Sequence, residues 1–284
     1  MDEVDPRFMD QVQDVLAPAR PAGGRGPDFT GDRSPAGMEV ALPSNYSLEG
    51  LNIRGDVPLA RIVEAVRRFR SGERRADVDR PRLGILLSGV PGGGKTAFCS
   101  YLARECGAPL HAVCASDLLS KWIGESERNL AAAFRKAREE NAVLLLDEID
   151  SFLFSRDGAR HSWEVTQVNE LLQQMERFDG VLVGATNLAS ALDRAVLRRF
   201  VFKLELDYLT DEGKRTFFRR FFRTPLTAAE RRRLDAIDRL APGDFRTAYE
   251  RLFYLGGDEG NAARLRALEQ EAAAKGRGPV RVGF

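Results

Sequence analysis

The chain has 284 residues, 43% of them hydrophobic, and a formal net charge of +1. This length allows one well-packed core with a smaller appendage, and the near-neutral charge favours neither nucleic acid nor an anionic membrane as a partner. No run reaches the roughly 18 apolar residues of a membrane span. The three cysteines lack C-x-x-C spacing and are interpreted as small buried residues of a reducing compartment, so we expect a cytoplasmic protein.

The first 45 residues predict a disordered arm. They hold six of the 13 prolines and eight acidic against four basic residues, a composition that cannot bury enough apolar surface to offset the entropy of ordering. Ordered structure is expected from about Tyr46. The apolar residues from Leu59 to Phe69 then recur at helical spacing, and Ser71-Gly72 is a helix stop signal.

From Leu83 onward the pattern alternates between strands and helices. The predicted strands are Leu83–Ser88, Leu110–Cys114, Val143–Leu146, Val181–Ala185 and Phe202–Leu206. All but the last are nearly continuous apolar runs, which is typical of strands covered on both faces. Helical segments separate most of them, so the sequence predicts an α/β fold with a parallel sheet sandwiched by helices.

The sequence after Leu206 predicts a small all-α lid. Its expected helices are 211–223, 227–240, 244–255 and 258–275. The predicted organisation is an arm (1–45), a nucleotide-binding α/β subdomain (46–207), a helical lid (208–276) and a tail (277–284).

One glycine-rich segment lies between a predicted strand and a predicted helix. Residues Gly89–Thr96 read Gly-Val-Pro-Gly-Gly-Gly-Lys-Thr, a G-x-x-x-x-G-K-T phosphate-binding loop in the context that this motif requires. Lys95 is expected to reach the β- and γ-phosphates of ATP, and the Thr96 hydroxyl to bind Mg²⁺. The predicted nucleotide-binding set is Gly89, Val90, Pro91, Gly92, Gly93, Gly94, Lys95, Thr96 and Ala97.

Polar residues follow two later strands. Asp147 and Glu148 end an apolar strand, at the sheet edge where ligands of open α/β sheets bind. We expect Asp147 to hold Mg²⁺ and Glu148 to orient or deprotonate the attacking water. Asn187, after the next strand, is placed to bridge the γ-phosphate and that water. An ATP-hydrolysing enzyme is therefore predicted.

Together these segments resemble the AAA+ ATPases, over a stretch from about Tyr46 to the carboxyl terminus. Gly89–Thr96 is similar to Walker A, Leu144–Asp150 to Walker B and Asn187 to sensor 1. The resemblance implies a homo-oligomer, in this family a hexameric ring.

A further segment, Leu192–Phe200, is similar to the second region of homology in the katanin and spastin group. In that group, arginines at the positions of Arg198 and Arg199 reach the nucleotide of the neighbouring subunit. Such guanidinium groups stabilise the charge that builds on the γ-phosphoryl oxygens.

Two positions depart from the family pattern. Gly93 replaces the usual threonine before the last Walker A glycine, which predicts a more flexible loop with no phosphate ligand lost. The sensor 2 region Pro242–Arg246 lacks the Gly-Ala-Arg form, so Arg246 is either a phosphate contact or an exposed helix arginine.

The substrate is suggested by Ser120–Glu127, which resembles pore loop 1 of AAA+ protein translocases. Lys121, Trp122 and Ile123 supply its basic, aromatic and β-branched positions, and the family uses the aromatic to grip an extended polypeptide. The alternative is a tryptophan packed on its own domain. Three later residues fit either a second pore loop or a polar disordered loop: Asp157, Arg160 and His161.

The stretch from Lys214 to Arg251 holds eleven basic residues, with seven acids between Asp211 and Glu250. A solvated helical face is favoured over a nucleic-acid track, and the interleaved phenylalanines are interpreted as lid core or subunit interface. The leading hypothesis is ATP-driven remodelling or threading of a protein. The alternatives are an ATP-driven assembly on nucleic acid and a nucleotide-switched scaffold.

Overall fold

A computed structural model describes residues 46–72, 82–118, 125–152, 162–189, 192, 194–256 and 260–276. The strands within these ranges are Asn52–Gly55 (β1), Leu83–Gly89 (β2), Leu110–Cys114 (β3), Val143–Asp147 (β4), Val181–Thr186 (β5) and Phe202–Asp207 (β6). They form one sheet in the order β1-β6-β2-β5-β4-β3. The pairs β2–β5, β5–β4 and β4–β3 are parallel, as predicted.

Helices flank and follow these strands. Those described are Leu59–Ser71 (α1), Lys95–Glu105 (α2), Ala115–Leu118 (α3), Glu125–Glu139 (α4), Ser162–Arg177 (α5), Arg194–Leu197 (α6), Asp211–Phe222 (α7), Ala228–Asp235 (α8), Pro242–Leu255 (α9) and Gly260–Gly276 (α10). None of the helices in the described ranges is long and apolar enough to cross a membrane.

The described residues group into two compact units. The α/β unit contains 55–88 and 96–204, and the helical unit contains 48–54, 89–95 and the residues from Glu205 onward. The predicted boundary between residues 207 and 208 stays a prediction.

The core of the α/β unit explains why its central strands are apolar throughout. Leu144 and Leu146 of β4 are fully buried in one cluster with side chains of α4 and α5. Within that cluster the rings of Phe134 and Phe178 meet edge to face, with centroids 5.2 Å apart. The register of β3 and β4 pairs Cys114 with Asp147, so both strands end at the same edge, where polar residues follow.

The helical unit has a phenylalanine-rich core, and two of its helices begin with regular capping residues. The Thr210 side chain accepts from Gly213 N at the start of α7, and Thr227 forms a capping box with Glu230 at the start of α8. Phe217, Phe218, Phe222 and Phe245 are buried in this core. The interpretation of the interleaved phenylalanines as lid core is therefore confirmed for Phe217, Phe218 and Phe222, and Phe221 packs against the same core.

Candidate functional site

The chain leaves β2 through Gly89, the last residue of the strand, in a conformation that only glycine allows. Gly89 has φ of 142°, and a Cβ added there would lie 2.0 Å from the Leu206 carbonyl oxygen. That approach exists because Val90 N donates to the same oxygen at 3.1 Å. Gly93 is also confined, since a Cβ would lie 3.0 Å from the Val90 oxygen. Glycine in place of the family's threonine thus fits a tight contact in this loop.

Lys95 is held by the loop that it ends. Its side chain is nearly buried, with 8% of the residue exposed. Its ammonium donates to the carbonyl oxygens of Gly89 and Val90, both at 3.0 Å. A compact ammonium with several donors can exchange such carbonyl partners for phosphate oxygens. Ala97, the last residue of the predicted set, is half-buried in the first turn of α2.

In the α/β unit, the residue after Lys95 meets the end of β4. The Thr96 hydroxyl donates to Asp147 Oδ2 at 2.8 Å, and the other carboxylate oxygen of Asp147 accepts from Glu148 N at 3.0 Å. The structure thus brings together the hydroxyl and the carboxylate that were predicted to bind Mg²⁺. The carboxylate also contributes to raising the pKa of the Cys99 thiol, after burial as the main cause.

Glu148 is displayed at the sheet edge in an uncommon backbone conformation. It is exposed, and its φ of 53° places it in the left-handed region, which costs free energy for a residue with a side chain. The Cys114 thiol lies 3.6 Å from Glu148 Oε2 and 3.0 Å from the Ser116 hydroxyl. Cys114 was not among the predicted site residues, although its place at the end of a predicted neighbouring strand was a usable signal.

Asn187 follows the next strand of this edge. Thr186, the last residue of β5, donates its hydroxyl to Asp150 Oδ1 at 2.6 Å and accepts from Leu188 N at 2.9 Å. These two bonds fix the turn that presents Asn187, which is exposed. Thr186 and Asp150 support this turn, and sequence reasoning did not single them out.

The two arginines after α6 differ in their surroundings. Arg199 donates to the Ala195 carbonyl oxygen at 2.7 Å and forms an ion pair with Glu176. Arg198 is exposed and forms no side-chain hydrogen bond or ion pair with any residue in the described ranges. Of these two arginines, Arg198 is therefore the one that is exposed to solvent without a bound partner in the described ranges, and the predicted trans role of both residues stays a prediction.

The segment 242–246 of the helical unit contacts the loop through its backbone. Gly243 N donates to the Gly92 carbonyl oxygen at 2.9 Å. Arg246 instead pairs with Glu250 one turn later in α9, with Nε to Oε1 at 2.7 Å. Of the two alternatives for Arg246, the structure favours the exposed helix arginine.

Several basic residues of the helical unit form ion pairs with acids. The pairs in the described ranges include Arg215–Asp235, Arg233–Glu269, Arg246–Glu250 and Lys214–Asp211. Side chains that are already paired are poorly placed to follow a phosphate backbone.

Some predicted residues lie outside the described ranges. These are the pore-loop residues Lys121, Trp122 and Ile123, together with Asp157, Arg160 and His161. The description of the site therefore covers the phosphate loop and the strand edge.

Comparisons with known proteins show similarity to one group of ATPases. Residues 85–208 match the family model "ATPase family associated with various cellular activities (AAA)". Spastin of Danio rerio is 33% identical over 214 residues, which cover 71% of this chain and 33% of that protein. Human fidgetin-like protein 1 is 40% identical over 131 residues, covering 44% and 19%. A cell division cycle protein 48 homolog of Archaeoglobus fulgidus is 42% identical over 132 residues, covering 44% and 18%. The matches thus span a third or less of these relatives' lengths.

Solved structures share the fold. A crystal structure of the FIGL-1 AAA domain has a TM-score of 0.56 and 25% identity, covering 81% of this chain and 87% of that one. The same domain in complex with ADP has a TM-score of 0.57 and 24% identity, covering 82% and 88%. The α/β fold with a following helical region is therefore confirmed, and the chain carries an AAA-family ATPase domain.

Proposed function

We propose that this chain hydrolyses ATP with Mg²⁺ in a ring of identical subunits, and that hydrolysis remodels or threads a polypeptide. The observation that carries the chemistry is the hydrogen bond between Thr96 and Asp147 at 2.8 Å, with Glu148 the next residue in the chain. A solved relative, the FIGL-1 AAA domain, has been crystallised with ADP, which supports an adenine nucleotide as ligand.

The residues present fit Mg²⁺ in a nucleotide-dependent site. Within the described ranges, no cluster of three or more His, Cys, Asp or Glu side chains would hold a metal unaided. Mg²⁺ at such sites takes only one or two protein oxygens, with phosphate and water oxygens completing its shell. Thr96 and Asp147 supply two adjacent oxygens. When bound there, the ion would neutralise charge on the phosphates.

The remaining roles follow from charge and position. Lys95 exchanges loop carbonyls for phosphate oxygens and so binds the ground state, whereas Glu148 orients the water that attacks the γ-phosphorus and accepts its proton. Asn187 presents an amide that can hold the same water. An arginine from the neighbouring subunit, for which Arg198 is the exposed candidate, stabilises charge that grows in the transition state.

Two substitutions test the chemical assignment. Lys95→Ala should abolish nucleotide binding, because it removes a ground-state contact. Glu148→Gln should keep binding and lower kcat by about 10²–10⁴-fold, the usual contribution of a positioned base. The measurements are calorimetric binding of ADP and steady-state ATP hydrolysis. Glu139→Gln, at an exposed acid near the end of α4, is the matched control and should change neither. Unchanged turnover in the Glu148 variant would contradict the proposal.

The polypeptide substrate rests on the resemblance of Lys121, Trp122 and Ile123 to a translocase pore loop. Trp122→Ala should leave basal hydrolysis within a few-fold of wild type and abolish its stimulation by an unfolded protein, whereas Trp122→Phe should retain part of that stimulation because an aromatic grip remains. A packed core tryptophan would instead cost about 3–5 kcal/mol of stability on truncation. Thermal unfolding of the same variants distinguishes the two roles, and stimulation by DNA alone would contradict the polypeptide assignment.

A further inference from the structure

The last turn of α10 is joined to the start of α9 by an ion pair with little solvent exposure. Lys275 Nζ lies 2.5 Å from Asp244 Oδ2, and 23% and 10% of the two side chains are exposed. The same ammonium donates to the Arg239 carbonyl oxygen at 3.1 Å. It also lies 5.1 Å from the centre of the Tyr208 ring. Lys275 therefore has three partners near the beginning of α9, all within the helical unit.

Asp244 connects this pair to the backbone at the helix start. Its Oδ2 accepts from Ala241 N at 2.6 Å, so the carboxylate holds the residue that precedes α9. A carboxylate in the first turn also interacts favourably with the helix dipole. The geometry of this turn thus depends on a side chain whose charge is balanced by Lys275.

Gly243, the neighbour of Asp244, contacts the phosphate loop. Its N–H donates to the Gly92 carbonyl oxygen at 2.9 Å, and a Cβ added to Gly243 would lie only 3.1 Å from Gly92 Cα. Because a peptide group is planar, holding the Gly92 carbonyl also orients the N–H of Gly93. That N–H donates to the Val90 carbonyl oxygen at 3.1 Å, which is one of the two acceptors of Lys95.

We propose that Lys275 and Asp244 are positioning residues for nucleotide binding, acting on the phosphate loop through Gly243. The inference rests on the proposed function, because it assumes that Gly89–Thr96 binds the phosphates. Breaking the ion pair leaves Asp244 without its counter-charge and loosens the first turn of α9. The loop then loses part of its preorganisation, and preorganisation lowers the cost of binding. The effect falls on affinity, since neither residue contacts the catalytic carboxylates.

The test compares two substitutions, Lys275→Met and Arg233→Met, each of which removes one ion pair made by α10. Lys275→Met should weaken ADP binding about tenfold, within the usual range of coupling between sites, and leave kcat at saturating ATP within about threefold. Lys275→Arg keeps the charge and should restore most of the affinity. Arg233→Met removes the pair between α8 and α10, in which Arg233 Nε lies 2.7 Å from Glu269 Oε1, and should leave ADP affinity within about twofold of wild type.

A second variant keeps the inference testable if Lys275→Met does not fold. Gly243→Ala leaves the ion pair intact but places a methyl group against Gly92, so ADP affinity should fall while the melting temperature changes little. Weakening in Lys275→Met and Gly243→Ala, but not in Arg233→Met, supports the inference. Equal ADP affinity in wild type and Lys275→Met would overturn this inference but not the proposed function. The same holds if Arg233→Met weakens ADP binding as much as Lys275→Met does. Failure of the wild-type chain to bind ADP would overturn the proposed function as well.

Discussion

The polar strand edge of the α/β unit and the helices of the helical unit use the same types of polar residue for different purposes. At the edge, Asp147 accepts hydrogen bonds from the Thr96 hydroxyl and from Glu148 N, and Glu148 has a left-handed backbone conformation. In the helical unit, polar side chains cap helices or join them, as Thr227 caps α8 and Arg215 pairs with Asp235. In the helical unit the polar groups therefore stabilise helix ends and contacts between helices, whereas at the strand edge they bond to one another where the strands end.

This difference predicts separable effects of mutation. Strained or mutually bonded polar groups at a strand edge contribute little packing, so they are replaceable without unfolding and costly to function. Buried aromatic groups contribute mainly apolar burial, so they are costly to stability. The predictions below test whether turnover and stability divide in this way.

The largest expected effect concerns the exposed arginine of the α/β unit. Arg198→Ala should lower kcat about 10³-fold, the lower end of the range for a trans arginine, with an unchanged melting temperature because Arg198 has no partner in the described ranges. Mixing this variant with Lys95→Ala should restore some hydrolysis, because mixed interfaces pair an intact loop with an intact arginine. Steady-state hydrolysis against protein concentration is the measurement.

Arg199 provides the comparison for that experiment. Its ion pair with Glu176 anchors it within its own subunit, so Arg199→Ala should also lower stability by roughly 1 kcal/mol. Glu176→Gln should reproduce that loss of stability and keep turnover. Full ATP hydrolysis by dilute, monomeric Arg198→Ala protein would contradict the trans role of Arg198, and the two arginines would then not differ in function.

The second effect concerns the core of the helical unit. Phe218 is 0% exposed and its ring centroid lies 4.8 Å from that of Phe222. Phe218→Ala should lower the free energy of unfolding by about 3–5 kcal/mol, measured by denaturant titration. Tyr254→Ala, at an aromatic that is 79% exposed, should stay within about 0.5 kcal/mol of wild type. A small loss in Phe218→Ala would mean that this core packs loosely.

Sequence reasoning located the main strands because buried parallel strands are continuous apolar runs. It missed β1, where Asn52 and Arg54 interrupt any apolar pattern and the strand lies at the edge of the sheet. It also extended one helix too far. Helix α8 ends at Asp235, and Arg239 turns back with φ of 59° while Leu240 enters the core. Helical periodicity persists through such a turn, so the sequence carries little signal for it.

The site was predictable where a motif specifies chemistry, and less so where the fold brings distant residues together. The meeting of Thr96 and Asp147 follows from strand order, because the carboxyl ends of parallel strands share an edge. The contacts Arg199–Glu176, Gly243–Gly92 and Cys114–Glu148 join residues far apart in sequence. No local pattern marks them, since each depends on tertiary packing.

The smallest expected effect concerns His111, a buried residue of β3. Burial mainly, and the charge of Lys136 in addition, lower the pKa of His111 below its usual 6.5, against an opposing contribution from Glu140. Its Nε2 has no hydrogen-bond partner among the described residues, so the fold favours the neutral ring. The unfolded chain therefore takes up a proton at a higher pH than the folded chain does.

The consequence is a one-sided pH dependence. Well above pH 6.5 both states hold a neutral ring, and His111 adds no dependence of stability on pH. As the pH falls below that value, the unfolded state gains the proton first and the free energy of unfolding decreases. Because carboxylates contribute equally in both proteins, the test is the difference between wild type and His111→Gln in denaturant titrations at several pH values. Wild type should lose stability relative to the variant only on the acidic side. A difference that is constant with pH would mean that the ring is protonated alike in both states.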